Sequence, residues 1–126
     1  MSDELDLFRL DDLLTAEDRA IRDRVRAWVR SRFAPEINRC WNAGTFPLEL
    51  TPEIAALGVF GGNIQGYGCS GWNPLAYGLA LAELERGDTG LRTFASVQGA
   101  LAMNAIHMFG TEEQKQRLLP AFITGE

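Results

Sequence analysis

The sequence predicts an all-α fold, an orthogonal or up-down bundle of five to six helices with two buried central helices. Apolar residues recur at helical spacing along most of the chain, and residues that begin or end helices stand at the boundaries of these stretches. No segment of four or more residues alternates between apolar and polar in the manner of a strand. The length of 126 residues is that of one domain.

The first predicted helix begins after Thr15, where Asp18 three residues later completes a capping pattern. Its apolar side is formed by Ile21, Val25, Trp28, Val29 and Phe33. A second side carries a row of arginines, which we interpret as a solvated face or a subunit contact. These are Arg19, Arg22, Arg26 and Arg30. Pro35 should end this helix or kink the chain.

Two shorter helices and a loop are predicted next. Residues 36–43 form a short helix that Gly44 stops, and a further helix runs roughly over residues 47–57 before Gly58. Residues 58–73 hold six glycines. Because each glycine inside a helix costs about 1 kcal/mol relative to alanine, this stretch is predicted to be a structured loop.

Two mostly apolar stretches predict the central helices. One covers residues 74–86, with Asn73 as its cap, and is apolar nearly all round, which is typical of a buried helix. The other begins at Asp88 or Thr89 and runs to Phe109.

A final amphipathic helix follows Gly110, with Thr111 and Gln114 as a capping box. Its apolar side is formed by Leu118, Leu119, Phe122 and Ile123. Pro120 should kink this helix, and Gly125 should end it.

Composition and charge narrow the classes of function. The net charge of −5 argues against a nucleic-acid binder and against a binder of anionic membranes. No apolar run approaches the roughly 18 residues that a membrane span requires. The two cysteines, Cys40 and Cys69, are too few for a disulfide framework, so we expect reduced thiols and a cytoplasmic setting. They stand in no metal-ligand spacing, so we expect no metal site. Residues 1–12 are interpreted as an acidic N-terminal tail, and residues 13–126 as the helical domain.

The glycine-rich loop is the first candidate for a binding site. Residues 66–71 fit the letters G-x-G-x-x-G, but a predicted helix precedes them where a dinucleotide site needs a strand. No Lys-Ser or Lys-Thr follows, so a P-loop is excluded. We therefore favour a turn-rich connection between helices over a phosphate site.

Arg92 is the second candidate. Helical spacing places it on one side with three further residues, namely Ser96, Gly99 and Met103. A guanidinium beside small residues resembles a pocket wall that holds a carboxylate through two hydrogen bonds. On spacing alone an ordinary ion pair with Asp88, four residues earlier, is the favoured alternative.

No other side chain stands in a catalytic arrangement. His107, the single histidine, lies in the last turn of its helix, where a cation meets the negative end of the helix dipole. Ser70 and Ser96 have no histidine and aspartate at useful spacing. Glu83 and Glu85 should face different sides of their helix. We assign no catalytic residue within this chain.

Several motifs follow one another in a recognisable order. Residues 77–93 read YGLALAELERGDTGLRT and residues 96–98 read SVQ, with GYGCSG upstream at 66–71 and FGTEEQ downstream at 109–114. Together they resemble the helical N-terminal domain of the acyl-CoA dehydrogenases, most like the glutaryl-CoA branch, over about residues 13–126. The chain departs from the branch pattern in three places, of which one is Ala102, where the branch has a valine. Asn-Ala replaces His-Pro or Val-Pro at 104–105, and Thr-Gly-Leu replaces Ser-Gly-Tyr at 89–91.

The resemblance implies a part of an FAD-dependent enzyme that dehydrogenates an acyl-CoA between the α- and β-carbons. In this family a glutamate of the C-terminal helical domain removes the α-proton, and the β-hydrogen leaves as hydride to the flavin. An electron-transfer flavoprotein then accepts the electrons, and in the glutaryl branch decarboxylation follows. We expect the β middle domain, the C-terminal domain and the catalytic glutamate to lie outside these 126 residues, so that they are inactive alone. A homo-oligomer is also expected.

The resemblance further implies three substrate-binding residues. Arg92 falls on the arginine that holds the distal carboxylate in the glutaryl branch, and Thr93 on the small hydroxyl residue beside it. Ser96 follows as part of the pocket wall. With the resemblance we favour the carboxylate clamp over the ion pair with Asp88. FAD is not expected to be held by this domain alone.

Two alternatives stay open beside the enzyme interpretation. The chain could be a non-catalytic helical binding or assembly module, or one subunit of a split dehydrogenase. Surface character separates these cases, because a domain without its β neighbour should expose a large apolar patch. We expect the two central helices to be partly exposed on one side.

Overall fold

The computed structural model describes residues 6–125, and every regular element in that range is helical. The α-helices are α1 (Ala16–Trp28), α2 (Ile37–Ala43), α3 (Thr51–Ala56), α4 (Pro74–Gly87), α5 (Thr89–Ser96), α6 (Asn104–Phe109) and α7 (Glu112–Thr124). Turns of 3-10 helix cover Leu10–Leu13, Ala34–Glu36 and Leu48–Leu50, and π-helical segments cover Val29–Phe33 and Val97–Met103. Directly consecutive elements join into a few long helical rods, so the predicted all-α class is confirmed. Residues 1–5 of the predicted tail, and Glu126, lie outside the described range.

Three helices begin at the side-chain caps that were predicted from the sequence. The Thr15 hydroxyl accepts a hydrogen bond from the Asp18 amide, and the Asp18 carboxylate accepts one from the Thr15 amide. Thr111 and Gln114 form the same capping box at α7. The Asn73 side chain caps α4. These helix starts are therefore set by residues local in sequence.

Neither Pro35, which was expected to end or kink its helix, nor Pro120, which was expected to kink α7, ends a helix. α1 continues through the π-helical segment Val29–Phe33 and the 3-10 turn Ala34–Glu36 into α2. Pro35 lies in the first turn of the 3-10 helix, which directly follows the π-helical segment. Pro120 lies inside α7, which continues past it to Thr124. At Pro35 the helical rod is therefore not broken, and it changes there from π-helical to 3-10 geometry.

α4 is the central helix, and it packs against both α1 and α5. Its buried residues are Ala76, Tyr77, Ala80, Glu83 and Leu84. The apolar members of this set join side chains of every other α-helix except α2 and α6 in one core of buried residues. The prediction of a central buried helix is confirmed for this side of α4.

The opposite side of α4 and of the following rod is exposed. Leu75 is 50% exposed, Val97 47% and Leu101 66%. Gly78 and Ala82 are exposed beside them. The expectation that the central helices are partly exposed on one side is therefore confirmed.

The arginine row of α1 is not simply a solvated face. Arg22 is buried and donates hydrogen bonds to the carboxylates of Asp11 and Asp23. Arg26 donates through Nε and Nη2 to the two carboxylate oxygens of Glu83, at 3.1 and 2.9 Å. A guanidinium removed from water needs such partners. The expectation of solvation is wrong for these two arginines, which join the N-terminal turn and α4 to α1.

Glu53 of α3 should contribute to stability in a pH-dependent way. Its carboxylate accepts hydrogen bonds from Arg32 and from the Trp28 indole. These bonds lower the pKa of Glu53 from its usual 4.5 to about 2. Because the folded-state pKa lies below the unfolded one, the contribution is present above about pH 4.5 and is lost as the pH falls towards 2.

We therefore expect Glu53→Gln to flatten the acid limb of stability. Urea denaturation of the variant and the parent chain at several pH values would measure it. The stability difference between them should shrink as the pH falls through this window, because the parent loses a contribution that the variant never had. A constant difference across the window would contradict the assignment.

Candidate functional site

The predicted site residues Arg92, Thr93 and Ser96 lie together on α5. Arg92 Nε donates a 2.7 Å hydrogen bond to Glu85 Oε2 across the junction between α4 and α5. The Arg92 side chain is 36% exposed and that of Glu85 is 44% exposed. The pair thus lies at the surface, open to a ligand.

Ser96 lies one turn beyond Arg92 and contacts it. Its Oγ accepts a long 3.4 Å hydrogen bond from Arg92 Nη1 and donates a 3.1 Å bond to the carbonyl oxygen of Thr93. Thr93 therefore contributes its backbone to the cluster, while the residue itself is exposed. All three predicted residues are brought together, with Ser96 as the link.

Glu85 is the member of the cluster that the sequence did not identify. Thr89 Oγ1 donates a 2.8 Å hydrogen bond to Glu85 Oε1, so each carboxylate oxygen has its own donor. Arg92 first, and then Thr89, lower the pKa of Glu85. Asp88, the expected partner of Arg92, instead caps α5 by accepting a bond from the Leu91 amide. The ion pair between Asp88 and Arg92, the alternative that spacing alone favoured, is not formed, and Arg92 pairs with Glu85.

This arrangement defines what Arg92 can still bind. Glu85 balances its charge, so the guanidinium does not depend on a ligand for a counter-ion. Nη2 makes no hydrogen bond within the described part of the chain, and Nη1 has only the long contact to Ser96. A carboxylate could add to these two nitrogens in the bidentate manner while Glu85 keeps Nε. The cluster can therefore act as a carboxylate clamp.

Exposed small and apolar residues are present on both helices beyond the clamp. On α4, Gly78 and Ala82 precede Glu85 at helical spacing of four and three, and all three are exposed. On the next rod Val97 and Leu101 are exposed beyond the Arg92–Ser96 turn. In contrast, Gly99 and Met103, which were predicted to share the side of Arg92, are buried. An elongated ligand with an acid at one end and an alkyl chain behind it matches this combination.

The glycine-rich loop is held by its own turns and by α7. Gly66, Tyr67 and Gly68 all have positive φ, and at Tyr67, with φ of 56°, this conformation is unfavourable. The Tyr67 hydroxyl donates a 2.9 Å hydrogen bond to Glu112, which fixes the turn against the start of α7. α3 precedes the loop, so the context of a dinucleotide fold is absent from this part of the described chain.

Other candidate chemistry is sparse within residues 6–125. His107 lies in the last turn of α6, as expected, with its ring edge-on to Tyr67 at a centroid distance of 6.0 Å. No three His, Cys, Asp or Glu residues of this range gather as a metal site would require. None of its helices combines the length and the apolar character needed to cross a membrane.

The fold and the motifs together define the class of protein. Residues 15–126 match the family model described as acyl-CoA dehydrogenase, N-terminal domain. The chain belongs to the acyl-CoA dehydrogenase family, and it corresponds to the helical N-terminal domain. The resemblance drawn from the motifs is confirmed.

Individual relatives differ in how similar they are to this chain, and the glutaryl-CoA branch gives the strongest match of those compared below. Glutaryl-CoA dehydrogenase from Mycobacterium smegmatis, solved in complex with FADH2, matches with a TM-score of 0.92 and 46% identity, over 96% of this chain and 31% of that one. Butyryl-CoA dehydrogenase from Megasphaera elsdenii matches with a TM-score of 0.80 and 30% identity, over 89% and 30%. The probable acyl-CoA dehydrogenase YngJ from Bacillus subtilis is 33% identical over 115 residues, which is 89% of this chain and 30% of the relative. The chain is thus most similar to glutaryl-CoA dehydrogenase among these three, and spans about 30% of each relative's length.

Proposed function

We propose that this domain forms one wall of the acyl pocket in an FAD-dependent dehydrogenase whose acyl-CoA substrate ends in a carboxylate. The supporting observation is the Arg92 clamp, with Glu85 on Nε at 2.7 Å and the outer nitrogens available to a ligand. Glutaryl-CoA is the substrate class that this clamp and the likeness to glutaryl-CoA dehydrogenase favour.

The residues of this chain bind and orient substrate in this proposal. The clamp holds the distal carboxylate, and the exposed apolar side with Val97 and Leu101 excludes water from the alkyl chain. That side fits one wall of a flavin and substrate site and not a complete one. FAD, when bound, would accept the hydride. A base from further chain or from a partner subunit would remove the α-proton.

The proposed partners follow from the same exposed side. A β domain, a C-terminal helical domain or a partner subunit would cover Leu75, Val97 and Leu101, which are exposed in this domain. We further propose a homo-oligomeric assembly, an electron-transfer flavoprotein as electron acceptor, and a cytoplasmic setting. The free thiols of Cys40 and Cys69 agree with that setting.

The experiment that tests this function uses protein isolated from its own host with any associated chain. We expect a flavin spectrum that bleaches when glutaryl-CoA is added, and release of CO2 would report decarboxylation. A flavin-free preparation that no acyl-CoA alters would contradict the proposal. It would favour the non-catalytic assembly module, for which the same apolar side is the binding surface.

A further inference from the structure

Thr89 is the first residue of α5, and its hydroxyl serves the clamp. Thr89 Oγ1 donates to Glu85 Oε1 at 2.8 Å, while Glu85 Oε2 accepts from Arg92 Nε at 2.7 Å. The three side chains form one chain of hydrogen bonds that spans the junction of α4 and α5. Arg92 is thereby connected through Glu85 to the start of its own helix.

The Thr89 hydroxyl is not needed to begin the helix. Asp88 does so, because its side chain accepts a hydrogen bond from the Leu91 amide at 3.0 Å. Thr89 itself is exposed and is not part of the core. Its hydroxyl is therefore available for a role other than capping.

We propose that Thr89 is a positioning residue that fixes the Glu85 carboxylate and, through it, the orientation in which Arg92 meets a substrate carboxylate. This inference rests on the proposed function. It adds a residue that touches no substrate yet sets how well a distal acid is distinguished from a methyl end.

The physical basis is the freedom of the two side chains. Glu85 and Arg92 are both partly exposed, so without further restraint each would sample several rotamers. Because Thr89 holds Oε1 of Glu85, the position of Oε2 is fixed as well. The Arg92 guanidinium, which donates to Oε2, is then restricted to one orientation.

The first arm of the test needs no substrate. The Glu85 pKa would be measured by carboxyl 13C NMR in this chain and in Thr89→Val, Thr89→Ser and, as a control, Thr124→Val. Thr124 is also exposed, and its hydroxyl bonds elsewhere, to the Ala121 carbonyl. We expect the pKa of Glu85 to rise in Thr89→Val, because a donor that lowers it is lost. Thr89→Ser should restore it, and Thr124→Val should leave it unchanged.

The second arm measures selectivity in the holoenzyme assembly. Thr89→Val should raise KM for glutaryl-CoA about fivefold, the effect of one modest hydrogen bond, with kcat retained. KM for butyryl-CoA should not change, and Thr89→Ser should restore the KM for glutaryl-CoA.

Each contrary result has one meaning. An unchanged Glu85 pKa in Thr89→Val overturns the positioning role whatever the substrate. Equal changes in KM for both substrates also overturn it. Arg92→Ala, assayed alongside, distinguishes failure of the Thr89 inference from failure of the proposed function. If that variant alone loses selectivity, only the inference on Thr89 fails, and if neither variant does, the proposed function fails as well.

Discussion

Replacing Arg92 with alanine should raise KM for glutaryl-CoA by roughly 10- to 100-fold, because hydrogen bonds to a charged group are worth about 1.5–3 kcal/mol. Removal of the guanidinium also leaves the Glu85 carboxylate, now without Arg92, facing an incoming acid. KM for butyryl-CoA should change little, since a methyl end makes no bond to the clamp. Steady-state kinetics of the holoenzyme assembly with the two substrates would measure both effects.

Two further variants separate charge from geometry at the clamp. Arg92→Lys keeps a cation but loses the planar fork, so it should recover only part of the affinity for glutaryl-CoA. The double variant Glu85→Gln with Arg92→Ala removes the repulsion and should lie between the parent and Arg92→Ala. Equal losses with glutaryl-CoA and butyryl-CoA would show that Arg92 supports the fold of α5 and does not select the substrate.

The helix boundaries could be predicted because the signals that set them are local. Thr15, Asn73 and Thr111 each cap a helix by accepting a hydrogen bond from the amide three residues further on. The π-helical segments Val29–Phe33 and Val97–Met103 could not be predicted. Their residues are compatible with an ordinary α-helix, so no local signal in the sequence distinguishes the wider π-helical turn from an α-helical one.

The candidate site also contains residues that local spacing predicts and residues that it does not. Arg92 and Ser96 were found together because four residues along one helix return to the same side. Glu85 was not found, because it contacts Arg92 across the extended residue Asp88, where helical spacing no longer applies. The pairing of Arg26 with Glu83 joins α1 and α4 over 57 positions, which no local pattern reports. The motifs thus pointed to Arg92 as the candidate cation, and only the packing revealed that Glu85 holds it.

The π-helical segment has a consequence for stability at Gly99, where we expect alanine to destabilise the fold by about 1–3 kcal/mol. A Cβ at this buried position would lie 2.7 Å from the Gly61 amide nitrogen and 3.3 Å from the Val59 carbonyl oxygen. Both are backbone atoms of the loop that follows α3, so neither can rotate away. The 3.1 Å approach of the Tyr77 hydroxyl adds to the crowding.

Gly78→Ala is the matched control, because it makes the same change in a neighbouring helix. A Cβ at Gly78 meets no atom within 4 Å, and the residue lies exposed inside α4. There alanine should stabilise the fold by about 0.5–1 kcal/mol through helix propensity alone. Urea denaturation of the two variants should therefore give free-energy changes of opposite sign. If both variants gained stability, the loop would have to yield to the helix, and the close contact at Gly99 would not be what holds the glycine-rich loop against the central helices.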